Sequence, residues 1–350
     1  MHPIGQHFIG GFDGTEVTPE LRKLIKKYQI GGFILFKRNI ESPAQVKKLI
    51  ADLQKISSIP LFMGVDHEGG NVFRLGPPFT QVPPMAVVGK YYRKTKKIGT
   101  VFQLGELLGK ELRAVGFNWN YAPVVDVHSN PKNPVIGKRA FGPDPVVVSR
   151  CAAAVMKGLH SAGVLSCAKH FPGHGATIAD SHFDLPVLND PGRLLWKRDI
   201  FPYRKLIAKK LLKTIMIAHV SYPELDENDC ATLSRPIITD LLRKKMKFSG
   251  LIVSDDLRMK AISDRYGLKE ASLQFFRAGG DMAMICREPH LQMEAIDYVR
   301  THADGDLQKH FSQSFRRIQK LKNQIVQAKV SFPVTLLPSP AHQKIVAQLM

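Results

Sequence analysis

Residues 250–256 read GLIVSDD. Gly250 to Val253 carry no polar side chain, so a strand here keeps neither face for water. Strands with both faces covered belong to parallel sheets wrapped by helices. The run then ends on two carboxylates, and LRMKAI (257–262) follows with a helix-like pattern. Working outward, the same pattern recurs in HFIGGF (7–12), IGGFILF (30–36), PLFMGVD (60–66), NWNYAPVVDV (118–127), GVLSCAKH (163–170), TIMIAHV (214–220) and DMAMIC (281–286). Amphipathic stretches such as SPAQVKKLIADLQKI (42–56) and DPVVVSRCAAAVMKGLHSAG (144–163) lie between the runs. Ser42 and Asp144 each precede a proline, a helix start with Pro at the first helical position. Eight strand–helix alternations predict an α/β fold, a single-domain (β/α)8 TIM barrel over residues 1–330. A doubly wound open sheet lacks support: no GxGxxG follows the first strand, and no GxxxxGK[ST] occurs.

Leu307, Phe311, Phe315, Ile318, Leu321 and Ile325 recur at three- and four-residue steps, which predicts one amphipathic helix over 306–328 closing the barrel. The stretch SFPVTLLPSPAHQ (331–343) carries three prolines. Residues 331–350 therefore read as an irregular C-terminal extension on the surface.

The formal net charge is +20, from 50 Lys and Arg against 30 Asp and Glu. The cations fall in LRKLIKKYQ (21–29), YYRKTKK (91–97), YRKLIAKKLLK (203–213), LLRKKMK (241–247) and SFRRIQKLK (314–322). Apolar residues interleave them at helical spacing, so they read as the solvated faces of separate helices rather than as a nucleic-acid surface. Four scattered cysteines, with no CxxC pair, read as reduced thiols. The N-terminus shows no signal-peptide pattern, and no apolar run approaches a membrane span. A cytoplasmic monomer is expected, with no membrane or nucleic-acid partner.

In such a barrel the chemistry gathers at the C-terminal ends of the strands. The runs end in Asp66 and Glu68, Asp126, Lys169 and His170, His219, and Asp255 and Asp256. Successive strand side chains point to opposite faces. With Asp256 placed to cap the following helix, Asp255 is left as the inward carboxylate, suited to covalent catalysis or charge stabilisation.

KHFPGHGATIADSH (169–182) is rich in titratable groups. His170 and His174 are four apart, but Pro172, Gly173 and Gly175 prevent a regular helix, and no HExxH or nearby Cys supports a metal. Asp180 and His182 instead suit proton transfer, because a carboxylate beside an imidazole orients it and stabilises its charged form. The alternative, Asp180 capping a turn and His182 at the surface, stays open on these residues alone.

VDHEGGNVFRL (65–75), NPVIGKRAFG (133–142), KHFPGHGATIADSH and VSDDLRMKA (253–261) together resemble the motifs of glycoside hydrolase family 3, most closely its bacterial β-N-acetylglucosaminidase, NagZ-type branch. The resemblance runs from about residue 6 to about residue 330. It implies a barrel and a two-step, retaining mechanism through a glycosyl-enzyme. By position, Asp255 matches the nucleophile, His182 the acid/base, and Asp180 its partner. Asp66, Arg74, Arg139, Lys169 and His170 match the ligands of the N-acetylglucosamine ring. No metal or organic cofactor is implied. The substrate class implied is 1,6-anhydromuropeptides from peptidoglycan recycling. His67 and Asn71 stand where the family commonly has Gln and Arg, and neither is expected to touch the sugar. The second domain of larger members is not expected. The same residues would serve a phosphorylase. Readings from other classes are a non-catalytic sugar sensor and a basic nucleic-acid binder.

Overall fold

The apolar runs become the strands of a closed barrel in the structure, a computed structural model that describes residues 3–178, 184–326 and 330–350. In chain order the strands are β1 (Phe8–Gly10), β2 (Gly32–Leu35), β3 (Phe62–Val65), β4 (Trp119–Asn120), β5 (Leu165–Phe171), β6 (Thr214–Ile217), β7 (Leu251–Asp256) and β8 (Met282–Ile285). Each pairs in parallel with its sequence neighbour, and β8 closes on β1. Seven lie inside the runs predicted from sequence, and β5 passes the end of its run by one residue, Phe171. β4 is shorter than its run; beyond it only Val124 bridges to Lys169.

Period-two alternation sorts the side chains into two cores. Ile9, Ile34, Phe62, Trp119, Leu165, Cys167, Met216, Leu251, Val253, Met282 and Met284 fill the barrel interior. Phe8, Phe33, Met63, Ala168, Ile252 and Ala283 point outward into the layer beneath the helices. Both faces are thus dry, which is why the runs lack polar alternation. Each large side chain buried this way contributes about 2–3 kcal/mol. Leu251 and Val253 face inward, so Asp255, two residues further, takes the inward position at the mouth.

The helix starts read from Ser42 and Asp144 hold. Ser42 Oγ accepts from the Gln45 amide at 3.1 Å, and Asp144 from the Val146 amide at 2.8 Å. Asp256 does not cap a helix, contrary to expectation. The next helix begins at Lys260, and Asp256 Oδ1 instead accepts from the amides of Arg258 and Cys286, both at 3.1 Å. It thereby ties the end of β7 to the end of β8.

The helix Gly305–Leu321 closes the lower, N-terminal end, with Ile318 and Leu321 packed into the interior. Here Asp281, fully buried, accepts from the Ile252 amide at 2.7 Å and from Arg317 at 2.8 and 2.9 Å, and also pairs with Arg243.

The C-terminal extension is not irregular. Residues Pro340–Leu349 form a helix capped by Ser339, and His342 Nδ1 lies 2.7 Å from Glu111 on the helix Ile98–Ala114. Leu349 is buried with it. The prolines punctuate the approach; Pro340 starts the helix. Among the described residues no helix is long and apolar enough to cross a membrane, and the four cysteines are free and buried.

Candidate active site

β3 ends at Val65, and the chain turns at once into a short hairpin, His67–Gly69 against Val72–Phe73. Asn120 at the end of β4 holds the first hairpin strand. It donates to the His67 carbonyl at 2.9 Å and accepts from the His67 amide at 3.0 Å. The turn requires glycine: Gly69 and Gly70 have φ of +112° and +60°, and a Cβ on Gly69 would stand 2.7 Å from the Pro83 carbonyl. The His67 ring stacks on Phe73 with centroids 3.7 Å apart, and burial pushes it down to about 3, a neutral filler inside the hairpin. This small unit places Asp66, Glu68 and Arg74 around one mouth.

Glu68 is the hinge of that arrangement. Its carboxylate receives a fork from Arg139 at 2.8 and 2.9 Å, and Lys169 Nζ lies at 2.7 Å. Lys169 also donates to Asp66 Oδ1 at 2.7 Å, and Arg74 stands 3.7 Å from Asp66 Oδ2. Burial alone would push Glu68 up; Arg139 and Lys169 outweigh it and hold the carboxyl well below its usual range. Burial likewise works against the charge of Lys169, yet Asp66 and Glu68 keep its pKa above the ordinary value. The cations are therefore presented fully charged, each anchored on one side.

A second buried carboxylate supports the far wall. Asp126 accepts from His170 Nδ1 at 2.8 Å and from the His174 amide at 2.7 Å. Because a carboxylate only accepts, the His170 Nδ1 carries the proton and its Nε2 is left for the cavity. Burial opposes ionisation of Asp126, but His170 and His174 overcome it. His174 is structural. Its Nδ1 meets Thr177 Oγ1 at 2.7 Å, and Asn133 donates to its carbonyl at 2.9 Å. These contacts pin the start of the loop after β5. Asp180 and His182, on which the proton-transfer reading rests, lie outside the described residues.

Asp255 sits half-buried at the mouth. Burial would raise its pKa, but His219, His170, the Asp256 amide at 2.8 Å and Lys169 together lower it. It is an anion at neutral pH. His219 Nε2 lies 3.0 Å from the Asp256 carbonyl, to which it must donate, and its Nδ1 lies 2.7 Å from Thr232 Oγ1.

One cavity of about 460 Å³ joins these groups: Asp66, Arg74, Arg139, Lys169, His170 and Asp255 all line it. Six of the eight residues singled out in the sequence thus converge. In the sequence Glu68 and Asp126 are strand-end acids with no assigned part, because their partners are distant in the chain. Arg38, Arg258 and Arg287 at the rim had no sequence signal beyond their charge. They face two carboxylates: Asp13 pairs with Arg38 at 2.6 Å and Arg287 at 3.0 Å, and Glu288 with Arg258 at 3.0 Å.

Residues 7–321 match the glycosyl hydrolase family 3 N-terminal domain. The chain is 36% identical to beta-hexosaminidase A of Pseudoalteromonas piscicida, an alignment that takes in 96% of this chain and 60% of that protein's length. A family 3 beta-N-acetylglucosaminidase from Paenibacillus superposes with a TM-score of 0.93 at 34% identity, over 99% of this chain and 67% of the other. NagZ of Neisseria gonorrhoeae, solved with N-trifluoroacetyl-D-glucosamine, gives 0.80 at 32% identity, over 98% and 97% of the two chains. An eight-stranded parallel barrel, an acid-and-base mouth at its upper end and this run of matched sequence together make the chain a member of glycoside hydrolase family 3.

Proposed function

We propose that the chain is a retaining exo-β-N-acetylglucosaminidase. It removes terminal, non-reducing, β-linked N-acetylglucosamine through a covalent glycosyl-enzyme. The observation that carries this reading is the convergence of Asp255 with Asp66, Arg74, Arg139, Lys169 and His170 on one cavity. Asp255 attacks the anomeric carbon. Its depressed pKa keeps it in the ionised form a nucleophile needs. Below the ring it also stabilises the oxocarbenium-like transition state of both steps. Asp66 accepts from two sugar hydroxyls, while Arg74, Arg139 and Lys169 donate in directions fixed by their anchors. His182, oriented by Asp180, protonates the leaving oxygen and then takes a proton from water. A neutral imidazole repels an anionic leaving group less than a carboxylate would.

The names of the similar proteins support the sugar specificity. The substrates proposed are 1,6-anhydromuropeptides arising from peptidoglycan turnover in the cytoplasm, handled by a monomer. Three rim guanidiniums against two carboxylates leave a positive excess for the carboxylates of such fragments.

Aryl N-acetyl-β-glucosaminide and aryl β-glucoside, each assayed with and without phosphate, test the reading. Release from the first alone, as free sugar, is the expected result. Sugar 1-phosphate would make the enzyme a phosphorylase. Asp255→Ala removes about 10⁴-fold or more of the rate at an unchanged melting temperature. His182→Ala costs about 10²–10⁴-fold on substrates with poor leaving groups and less on aryl glycosides. Near-normal turnover by the Asp255 variant refutes the assignment.

A further inference from the structure

Three of the five basic sequence clusters, read above as faces of separate helices, meet in the fold. The helix Phe201–Ala208 with the loop after it, the helix Pro236–Lys245 with its loop, and the helix Gly305–Leu321 come together below β6 and β7. Between them lies a groove of about 800 Å³, larger than the candidate active site and at the opposite end of the barrel. Arg204, Lys210, Lys213, Lys245, Lys247 and Lys320 line it. Arg317 also lines it but is engaged by Asp281. Among the described residues, no carboxylate lines the groove and none is within ion-pair distance of those six cations.

The contrast with the upper mouth is informative. There, every cation taken as a sugar ligand has a carboxylate partner. Six like charges gathered without a counter-charge repel one another, and the field they focus favours an anion in the recess. Two of them are also held in place. The Arg204 guanidinium and the Lys245 ammonium lie 4.2 and 4.6 Å from the centre of the Trp196 ring, which joins two elements. Leu212, Phe248 and Leu321 give the recess an apolar floor.

We propose that this groove binds a linear chain of phosphate groups, the backbone of a single-stranded nucleic acid or inorganic polyphosphate. Five of the six free cations are lysines, compact point charges that suit successive phosphates rather than the planar fork of one carboxylate. An acidic peptide fits less well: the barrel is closed and offers no free strand edge for its backbone. A flat lipid surface cannot enter a recess whose cations line its walls. The proposal is independent of the sugar chemistry above.

The test is fluorescence anisotropy of a labelled oligothymidylate with the whole chain at low salt. Binding should weaken with added salt, with a log–log slope of about −0.7 for each phosphate contacted, so roughly −2 to −4 in total. The triple variant Lys210→Glu, Lys245→Glu, Lys320→Glu should bind about tenfold more weakly or worse, from the loss of several phosphate contacts. Lys47→Glu, Lys55→Glu, Lys94→Glu changes net charge equally on exposed helices elsewhere, and should lose less than about threefold if the site is local. Melting temperatures check folding, and a triple Lys→Gln set at 210, 245 and 320 replaces the reversal if that variant fails to fold. Polyphosphate should displace the oligonucleotide; displacement below the equivalent phosphate concentration of unlabelled oligonucleotide identifies polyphosphate as the preferred form, and displacement only above it the nucleic acid. Equal losses in the two triple variants, no binding at all, or displacement by polyglutamate as effective as by polyphosphate would overturn the proposal.

Discussion

Glu68 and Asp281 are buried carboxylates at opposite ends of one barrel, and each holds two cations. Glu68 takes Arg139 and Lys169; Asp281 takes Arg243 and Arg317. In both, neighbouring cations overcome the cost of burial and keep the carboxyl below its usual range. The surroundings separate them. Asp281 also accepts from the Ile252 backbone, and Arg243 donates to the carbonyls of Phe248 and Gly250. That network joins β7, the start of β8 and two helices; Arg317, Phe248 and Gly250 border the lower groove, and none of its members lines the sugar cavity. Arg139 and Lys169 line an open cavity. The same electrostatic device locks the frame below and presents donors above.

Removing Asp281 is the strongest way to break the comparison. Asp281→Ala leaves two guanidiniums buried without their counter-charge, which costs about 3–5 kcal/mol. Denaturant unfolding should show that loss, while kcat/KM per folded molecule on an aryl N-acetyl-β-glucosaminide stays within about twofold, since the change lies beyond the range at which sites couple. A large fall in kcat/KM would mean that the lower network also shapes the cavity.

Glu68→Gln should do the reverse in kind and less in size. The amide still accepts one hydrogen bond, so stability falls by only about 1.5–3 kcal/mol, the scale of a charged hydrogen bond. KM should rise by about tenfold or more, because Arg139 and Lys169 lose the anchor that aims them. Both carboxylates stabilise the fold at neutral pH. Because their folded pKa values are depressed, that contribution is lost as pH falls below the ordinary carboxylate range of about 4. Acid unfolding of Asp281→Ala and Glu68→Gln should therefore be less steep than that of the parent.

The two ends also differ in how far the sequence reveals them. Strand ends are legible because a parallel strand is a continuous apolar run, and the polar residue that stops it stands out. Asp66, Lys169, His170 and Asp255 are found this way. Arg74 and Arg139 come from loops, and only their resemblance to a family motif marks them. The hairpin at 67–73 has strands of three and two residues, too short for any periodicity to register. The lower groove is harder still. Each of its three clusters has the pattern of an ordinary solvated helix, and only the closing of the barrel sets them side by side. The C-terminal helix was within reach: Ser339 and Pro340 form the same start as Ser42 and Pro43, hidden by the prolines before it.

A dependence on pH sharpens the contrast inside the lower end itself. Lys322 also lies in the fold's base but, among the described residues, has no carboxylate within ion-pair distance. It is 1% exposed, donates to Gln6 Oε1 at 2.8 Å and sits 5.1 Å from the Phe62 ring centre. Burial lowers its pKa from 10.5 to about 7. Between those values the unfolded chain binds a proton that the folded chain does not, so stability rises with pH across that window. The penalty is complete below about pH 7 and lifts as pH climbs towards the unfolded value. Lys322→Met removes the titration but leaves Gln6 without its donor, so the offset at one pH mixes two effects. The slope does not: the parent's melting temperature minus the variant's should climb steadily between pH 7 and 10. A flat difference across that range would mean that the ammonium finds a counter-charge in the base, and that the lower end, like the upper one, balances its buried charges.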